Sequence, residues 1–332
     1  MEKNQILLKV ENLKKYFNKG DNLFTKKQKG YIKAVDDVTF DLFCGETLGL
    51  VGESGCGKTT VARLILKLIP PTSGSVILND IDFLNCSENK LFCLRKDIQI
   101  IFQDPYASLN PRMVVESIIR EPLDNYKVGT RNERRDRVKE LLKMVGLSPE
   151  HLKRYPHEFS GGQRQRIGIA RSLALNPKII ICDEPVSALD VSIQSQILNL
   201  LIDLQNKFNL SYIFISHNLS VVKHMSSRIA IMYLGKIVEI SSKHDIYSNP
   251  IHPYTKALIS AIPIPDPDIE KKRETIILDG DVFSQSQNII SGCSFYSRCS
   301  IRSDKCKEES PILENINNNS FHQVSCWNYK NN

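Results

Sequence analysis

The sequence predicts an α/β protein with a mainly parallel sheet, a helical insertion and a separate C-terminal piece. Apolar stretches of strand length alternate with stretches of helical periodicity along most of the chain, and a parallel sheet needs crossover helices of this kind. From about residue 104 the strand pattern gives way to helical periodicity, which predicts the insertion. A proline-rich stretch that begins at residue 248 indicates the last boundary.

The individual elements follow from the same patterns. Alternation of apolar and polar residues predicts edge strands in ILLKVENLKKYF and VDDVTFDLF, and short apolar runs predict strands in ETLGLV, KIIICD and SYIFIS. Helical periodicity predicts helices in KTTVARLILKLI, MVVESIIREPL, RRDRVKELLKMVGL and SIQSQILNLLIDLQNKF, the third ending near Gly146.

Composition excludes several classes of protein. The chain has 332 residues, of which 41% are hydrophobic and 24% charged, values typical of a soluble globular protein. It has no apolar run of about 18 residues and no signal-peptide core, so we expect a cytosolic chain that reaches a membrane only through a partner. The net charge is +7. The densest basic stretch, GTRNERRDRVKE, is interpreted as the solvated face of a helix, and no nucleic-acid partner is expected.

The most specific motif is GESGCGKT at residues 52–59, which matches the phosphate-binding loop G-x-x-x-x-G-K-[ST]. Glycines let backbone N–H groups approach a phosphate chain. Lys58 would reach the β- and γ-phosphates, the Thr59 hydroxyl would bind Mg²⁺, and the following helix would present its positive end. The predicted ATP-binding residues of this loop are Gly52, Glu53, Ser54, Gly55, Cys56, Gly57, Lys58, Thr59 and Thr60.

Polar residues at the ends of apolar strands are the candidate catalytic groups. Asp183 is predicted to hold the Mg²⁺ shell and Glu184 to act as the base, since a nucleotide loop needs both functions nearby. An acidic pair at a helix start is the alternative. Gln103 and His217 also follow apolar strands, where parallel sheets bind ligands. Each of them could instead be a loop anchor.

These motifs, with FSGGQ at 159–163 and SALD at 187–190, have the order and spacing found in the nucleotide-binding subunits of ABC transporters. Residues 6–245 resemble that family. The implied fold is a P-loop NTPase of RecA type, with a mainly parallel sheet, antiparallel edge strands, a helical subdomain at about 104–165 and a small cysteine-containing extension. The implied domains are 1–247 and 248–332.

The resemblance also implies roles that spacing alone does not supply. The signature and D-loop residues would act on the ATP of a partner subunit; these are Ser160, Gly161, Gly162, Gln163 and Asp190. Mg²⁺ would be held by Thr59, Gln103 and Asp183. Phe17, or else Tyr16, would stack on adenine, although core packing explains either ring equally well. Ser160 is also a helix N-cap by its own chemistry.

The stretches NPIHPYTKALISAIP and GCSFYSRCS resemble the C-terminal extension of ATPases in oligopeptide, dipeptide and nickel importers. The lysine-rich insertion at 18–33 resembles the subunit usually lettered F in those importers more than its partner lettered D. A tolerated surface insertion is the alternative. The implied partners are a second homologous ATPase, two membrane permeases and, indirectly, an extracellular binding protein, at the cytoplasmic face of the membrane. The rivals are an importer of nickel or another ligand, a non-transport ABC ATPase and a binding-only regulatory subunit.

Four cysteines, Cys293, Cys299, Cys306 and Cys326, lie in the final 40 residues. Their spacing does not identify a metal, but a small piece with little apolar periodicity would gain stability from one. The resemblance favours a [4Fe–4S] cluster, as in some peptide-importer ATPases. Zinc, with His322 as a substitute ligand, and unligated buried thiols are the alternatives. Because this tail is far in sequence from the ATP motifs, a structural or regulatory role is expected.

Overall fold

The structure is a computed structural model, and it describes residues 5–18, 31–263, 276–278, 292–316 and 319–329. Most of the insertion predicted at 18–33 lies outside the described residues. The strands are β1 Ile6–Asn18, β2 Tyr31–Phe43, β3 Thr47–Val51, β4 Ser73–Leu78, β5 Ile81–Asp82, β6 Ile98–Ile101, β7 Ile179–Asp183, β8 Ser211–Ser216, β9 Arg228–Tyr233, β10 Lys236–Ser242, β11 Glu314–Ile316 and β12 Asn319–Val324.

The α-helices are α1 Lys58–Ile65, α2 Glu88–Leu94, α3 Pro105–Ser108, α4 Val115–Asn125, α5 Arg131–Met144, α6 Gly161–Ser172, α7 Val191–Phe208, α8 Leu219–Met225, α9 Lys243–Ser248, α10 Pro253–Ser260 and α11 Asp304–Glu308. Short 3-10 helices lie at Pro149–Lys153, Pro156–Glu158 and Tyr296–Arg298. Among the helices of the described residues, none combines the length and the apolar character that a bilayer crossing needs.

The first of two compact units consists mainly of Asn85–Phe214 and also includes the turn Phe43–Glu46. Its strands are neighbours in the order β8, β7, β6, and β6 runs parallel to β7 from the Ile98–Ile179 pair onward. Helices α4, α5 and α6 pack on one another. Helix α5 ends at Met144, and Gly146 follows with φ of +74°, so the predicted glycine stop is confirmed.

The second unit contains Leu7–Leu42, Thr47–Leu84 and the chain from Ile215 onward. One of its sheets has the order β2, β1, β4, β5, and β4 pairs antiparallel with both β1 and β5. Its other strands are neighbours in the order β11, β12, β10, β9, β3. Only the β3–β9 pair among these is parallel. The predicted α/β class with antiparallel edge strands is therefore confirmed.

Burial explains why the apolar runs form strands rather than helices. All five residues of β3, all five of β7 and all six of β8 are buried. Parallel strands that are covered on both faces need such continuous apolar sequence. Each run is too short for a stable buried helix and forms a strand instead. Polar residues follow each run in sequence, so their side chains lie just after the strand ends.

The C-terminal residues contain strands that apolar periodicity did not predict. Strand β12 pairs antiparallel with β10 through Glu239–Val324 and Ile240–Gln323. Beside this pair, Glu239 is fully buried and accepts hydrogen bonds from the backbone N–H groups of Ile251 and His252, both at 2.9 Å. His322 Nε2 lies 2.8 Å from the same carboxylate. Because a carboxylate only accepts, this ring nitrogen donates.

Burial determines the charge of His252, a neighbour of Glu239. Burial lowers the pKa of His252 to about 4, and the negative charge of Glu239 opposes this shift only in part. The imidazole is therefore neutral at pH 7, and its Nδ1 accepts the N–H of Tyr254 at 3.1 Å as the N-cap of α10. A buried carboxylate and a neutral histidine thus tie the C-terminal residues to β10.

We expect His322→Ala to destabilise the C-terminal residues by about 3 kcal/mol, because it removes one partner of a buried charged group. Trp327 is the only tryptophan of the chain and lies in this segment, so urea unfolding followed by its fluorescence reports the change. The control is His244→Ala, whose side chain is 85% exposed. An unchanged midpoint for His322→Ala would show that the Glu239 contact does not stabilise this region.

Candidate functional site

The predicted phosphate loop lies between β3 and α1 and is held by its own lysine. Lys58 is 5% exposed. Its Nζ donates to the carbonyl oxygens of Gly52 at 2.7 Å and Glu53 at 2.9 Å. The buried Cys56 thiol lies 3.7 Å from the same ammonium. Burial raises the pKa of Cys56, and the nearby Lys58 charge opposes this only in part, so the thiol is uncharged at neutral pH and is a weak acceptor for the ammonium.

Gly57 is required by both conformation and space. Its φ is +110°, a region that L-residues rarely adopt. A Cβ at this position would lie 2.2 Å from the carbonyl oxygen of Ala34. Since a main-chain oxygen cannot move aside easily, a side chain here would displace the loop. Helix α1 begins at the next residue, and the N-terminal N–H groups of a helix are the kind of group that the motif requires for binding an anion.

The structure brings together two of the predicted catalytic residues. Gln103 follows β6, and Glu184 follows β7, the neighbouring parallel strand. The amide Nε2 of Gln103 donates to Oε2 of Glu184 at 3.0 Å. Gln103 is exposed and Glu184 half-buried, so this pair lies at a surface that solvent reaches.

Two acidic residues at the end of β7 have different environments. Asp183 is the last residue of the strand and is only 4% exposed, so bulk water hardly reaches its carboxylate. Glu184 has a φ of +46°, which costs free energy in a residue other than glycine. This backbone turns the chain sharply after the strand, and the carbonyl of Glu184 accepts from the Ser187 hydroxyl at 3.1 Å.

The signature residues begin α6 with a complete capping box. The Ser160 hydroxyl accepts from the N–H of Gln163 at 3.3 Å, and the N–H of Ser160 donates to Oε1 of Gln163 at 3.1 Å. A Cβ on Gly162 would lie 2.4 Å from Cγ2 of Ile193 in α7. The glycine therefore has a local role, because it allows α6 and α7 to approach closely.

Two further predicted residues lie beside strand or helix ends, and the two candidate adenine rings lie near the end of β1. His217 directly follows β8 and is exposed. Asp190 is exposed and precedes α7 as its N-cap residue. Phe17 is 41% exposed, whereas the Tyr16 hydroxyl donates to the Asp36 carboxylate. A ring that is bound through its hydroxyl is less available for stacking, so Phe17 is the better adenine platform of the two.

All four C-terminal cysteines line one cavity of about 10 Å³, roughly the space that one water molecule needs. Burial raises the pKa of Cys293 and of Cys326 to about 11 each, so both are thiols at neutral pH. Within the described residues, no group of three or more His, Cys, Asp or Glu side chains is placed to hold a metal ion. The arrangement therefore does not support the predicted iron–sulfur cluster. His322 is not among the lining residues, because its Nε2 bonds Glu239.

Sequence patterns missed two residues that contact the phosphate loop. Arg298, in the cysteine-containing segment, donates to both carboxylate oxygens of Glu53, at 3.2 and 3.1 Å. The hydroxyl of Tyr254 in α10 accepts the N–H of Glu53 at 3.0 Å. Both residues are more than 200 positions from Glu53 in sequence, and no local pattern predicts such a contact.

Two family models match the chain. The model described as "ABC transporter" matches residues 35–187. The model described as "Oligopeptide/dipeptide transporter, C-terminal region" matches residues 238–306. Among solved structures, the dimeric structure of a post-hydrolysis state of the ATP-binding cassette MJ0796 bound to ADP and Pi is 30% identical, with a TM-score of 0.63. The match covers 71% of this chain and 99% of that chain.

Curated relatives match almost the whole chain. The oligopeptide transport ATP-binding protein AppF of Bacillus subtilis is 51% identical over 326 residues, 98% of each protein. The oligopeptide transport ATP-binding protein OppF of Salmonella typhimurium is 52% identical over 330 residues, 98% of this chain and 97% of the relative. OppF of Escherichia coli is also 52% identical, over 329 residues. The chain is therefore an ABC-type ATPase and belongs to the family of oligopeptide transport ATP-binding proteins.

Proposed function

We propose that this chain hydrolyses ATP to power the import of oligopeptides or dipeptides across the cytoplasmic membrane. It would lie at the cytoplasmic face as a peripheral subunit, paired with a related ATPase and with two membrane permeases that receive cargo from an extracellular binding protein. The observation that carries the cargo assignment is the similarity over nearly the whole chain to relatives named oligopeptide transport ATP-binding proteins.

Residues 1–247 would be the ATPase, with its helical subdomain at about 104–165, and residues 248–332 the extension. Within the ATPase, the loop at 52–60 would bind the phosphates through backbone N–H groups and Phe17 would stack on adenine. The carbonyl contacts of Lys58 support this role, because they hold its ammonium at the loop where phosphate oxygens would bind. Thr59, Gln103 and Asp183 would hold Mg²⁺, which neutralises phosphate charge when it is bound.

Hydrolysis would depend on positioning and on charge stabilisation. Glu184 would orient and polarise the attacking water, and its 3.0 Å contact with Gln103 supports a shared role. His217 would contact the transferring phosphoryl group. Ser160, Gly161, Gly162, Gln163 and Asp190 would complete the ATP site of the partner subunit, since a capped helix N-terminus is an anion site.

We expect Glu184→Gln to retain ATP binding and to lower ATP hydrolysis about a hundredfold or more, because the amide is a far weaker base than the carboxylate. Steady-state phosphate release and equilibrium nucleotide binding measure the two effects. Glu140→Gln, a change of the same type at a residue that is 61% exposed, is the control. Unchanged turnover of Glu184→Gln would remove this residue from the role.

The same variant tests the cargo. In cells whose only copy of this chain is Glu184→Gln, uptake of a radiolabelled tripeptide should fall together with hydrolysis, whereas uptake of ⁶³Ni²⁺ should not change. Loss of nickel uptake with intact peptide uptake would favour the nickel-importer alternative. Loss of neither, despite lost hydrolysis, would favour an ABC ATPase that does not transport.

Tyr106, just after Gln103, is a candidate contact for a permease helix. Its ring is 65% exposed, and the buried Arg164 guanidinium lies 3.8 Å from the ring centroid. We expect Tyr106→Asp to lower transport about tenfold, as loss of an interface aromatic does, and to change basal hydrolysis little. Tyr106→Phe keeps the ring and should keep transport. An equal loss of transport and hydrolysis would indicate misfolding instead of uncoupling.

We propose that Cys293, Cys299, Cys306 and Cys326 hold a metal centre, with a [4Fe–4S] cluster preferred over zinc. The proposal rests on the shared cavity of the four thiols, and it requires the thiols to move apart, because as they are placed these described residues form no metal-binding group. Protein purified anaerobically should be brown and should contain iron, and Cys299→Ser should lose both, whereas Cys93→Ser, at an exposed cysteine outside the cavity, should not. Zinc without iron would show that the centre is a zinc site and not a cluster. The absence of both metals would refute the metal centre.

A further inference from the structure

The start of the phosphate loop is held by groups from the C-terminal residues. The Gly52 and Glu53 carbonyls accept from Lys58 Nζ. The N–H of Glu53 donates to the Tyr254 hydroxyl, and its carboxylate accepts from Arg298. Backbone N–H, backbone carbonyl and side chain of this one residue are therefore all engaged, and two of the three contacts come from beyond residue 248.

Arg298 is well placed to hold a fixed position. Its side chain is 6% exposed, while that of Glu53 is 29% exposed, so the arginine reaches the carboxylate from the protein interior. A hydrogen bond between charged groups is about twice as strong as one between neutral groups. Burial by itself lowers the pKa of Arg298, but its contacts with Tyr233 and Glu53 outweigh burial and raise the pKa. Arg298 is therefore charged at any physiological pH.

An aromatic cluster packs around Tyr254 and beside the segment that carries Arg298. The rings of Tyr233, Tyr254 and Phe295 are mutual neighbours, with centroids 4.7 to 5.6 Å apart. All three are fully buried. Phe295 lies three residues before Arg298. Cys299, which directly follows Arg298, lines the cavity of the four thiols. The position of the arginine thus depends on how the cysteine-containing segment is folded.

These contacts have a consequence for the nucleotide. The two carbonyls that orient the Lys58 ammonium belong to Gly52 and Glu53, and Glu53 is the residue that Tyr254 and Arg298 hold. If those anchors are lost, the peptide between Gly52 and Glu53 can rotate, and the ammonium loses its fixed place. Because positioning dominates phosphoryl-transfer sites, a small displacement of this lysine weakens phosphate binding.

We propose that Arg298 and Tyr254 are positioning residues for the phosphate loop, so that the C-terminal segment forms part of the nucleotide site. The inference rests on the proposed role of the loop in binding ATP. It assigns the extension a direct effect on nucleotide affinity through Glu53, although the extension is remote in sequence from every ATP motif.

The test measures the dissociation constant of a fluorescent ATP analogue with the full-length chain. We expect Arg298→Gln to raise this constant about tenfold, within the range seen for residues that act on a site without contacting the ligand. Arg298→Lys should retain most of the affinity. A single nitrogen of Arg298 contacts both oxygens of Glu53, and the one ammonium nitrogen of lysine can replace it. Arg302→Gln, at an arginine of the same segment that bonds the carbonyl of Ser297, is the matched control.

A double-mutant cycle shows whether the effect passes through Glu53. Glu53→Gln should weaken binding by a similar factor, and the double variant with Arg298→Gln should be no weaker than either single variant. Additive losses would overturn the proposal, and so would unchanged affinity in Arg298→Gln. Tyr254→Phe removes only the hydroxyl that accepts the Glu53 N–H, and it should weaken binding without unfolding the segment, as Trp327 fluorescence reports.

Failure of the proposed function is distinguishable from failure of this inference. If Lys58→Ala binds the analogue as well as the unaltered chain does, the loop is not the nucleotide site and the proposed function itself is wrong. If Lys58→Ala abolishes binding while Arg298→Gln and Tyr254→Phe do not weaken it, only the positioning role is refuted.

Discussion

The phosphate loop is packed through main-chain contacts that leave no room for a side chain at Gly52 or at Gly57. A Cβ at Gly52 would lie 2.1 Å from the carbonyl oxygen of Met232, and one at Gly57 would lie 2.2 Å from that of Ala34. The N–H of Gly235 also donates to the carbonyl of Cys56 at 2.9 Å. The loop is thus pressed onto β2 and β9, and this contact fixes where α1 begins and where its N–H groups point.

A second constraint is the buried carboxylate of Glu239. An ionisable group that is fully removed from water must be satisfied by hydrogen bonds, and here the donors are Ile251, His252 and His322. They belong to the start of α10 and to β12, two segments separated by about 70 residues of sequence. One buried carboxylate therefore ties both the start of α10 and strand β12 to β10.

The paired glycines of the signature illustrate how local packing and the proposed function use the same residues. Gly162 is needed where α6 passes Ile193, and Ser160 caps the helix with Gln163. Both features exist within one chain, without a partner. They also produce an exposed helix N-terminus, which is the feature that an incoming phosphate would require. A residue chosen for packing thus serves the proposed site of a second subunit as well.

The sequence by itself determined the elements that depend on short-range patterns, and it indicated the candidate site residues beside them. GESGCGKT specified a loop between a strand and a helix, IIICDE a buried strand ending in acids, and Gly146 the end of a helix, because turns, caps and strand periodicity are encoded within a few residues. The placement of Gln103 and Glu184 after strands was equally visible. That β6 and β7 are adjacent was not, since strand order depends on packing between distant segments.

Tertiary structure alone decided the contacts of the C-terminal segment. Strand β12 has too little apolar alternation for its pairing with β10 to be predicted from sequence. The Arg298–Glu53 contact joins residues 245 positions apart. The occurrence of four cysteines in the final 40 residues suggested a metal centre, and the fold brings these described residues to one cavity without forming a metal-binding group. The physical reason is common to all three cases: contacts between distant segments are selected by burial and complementary charge in the folded chain, and neither is written in the local sequence.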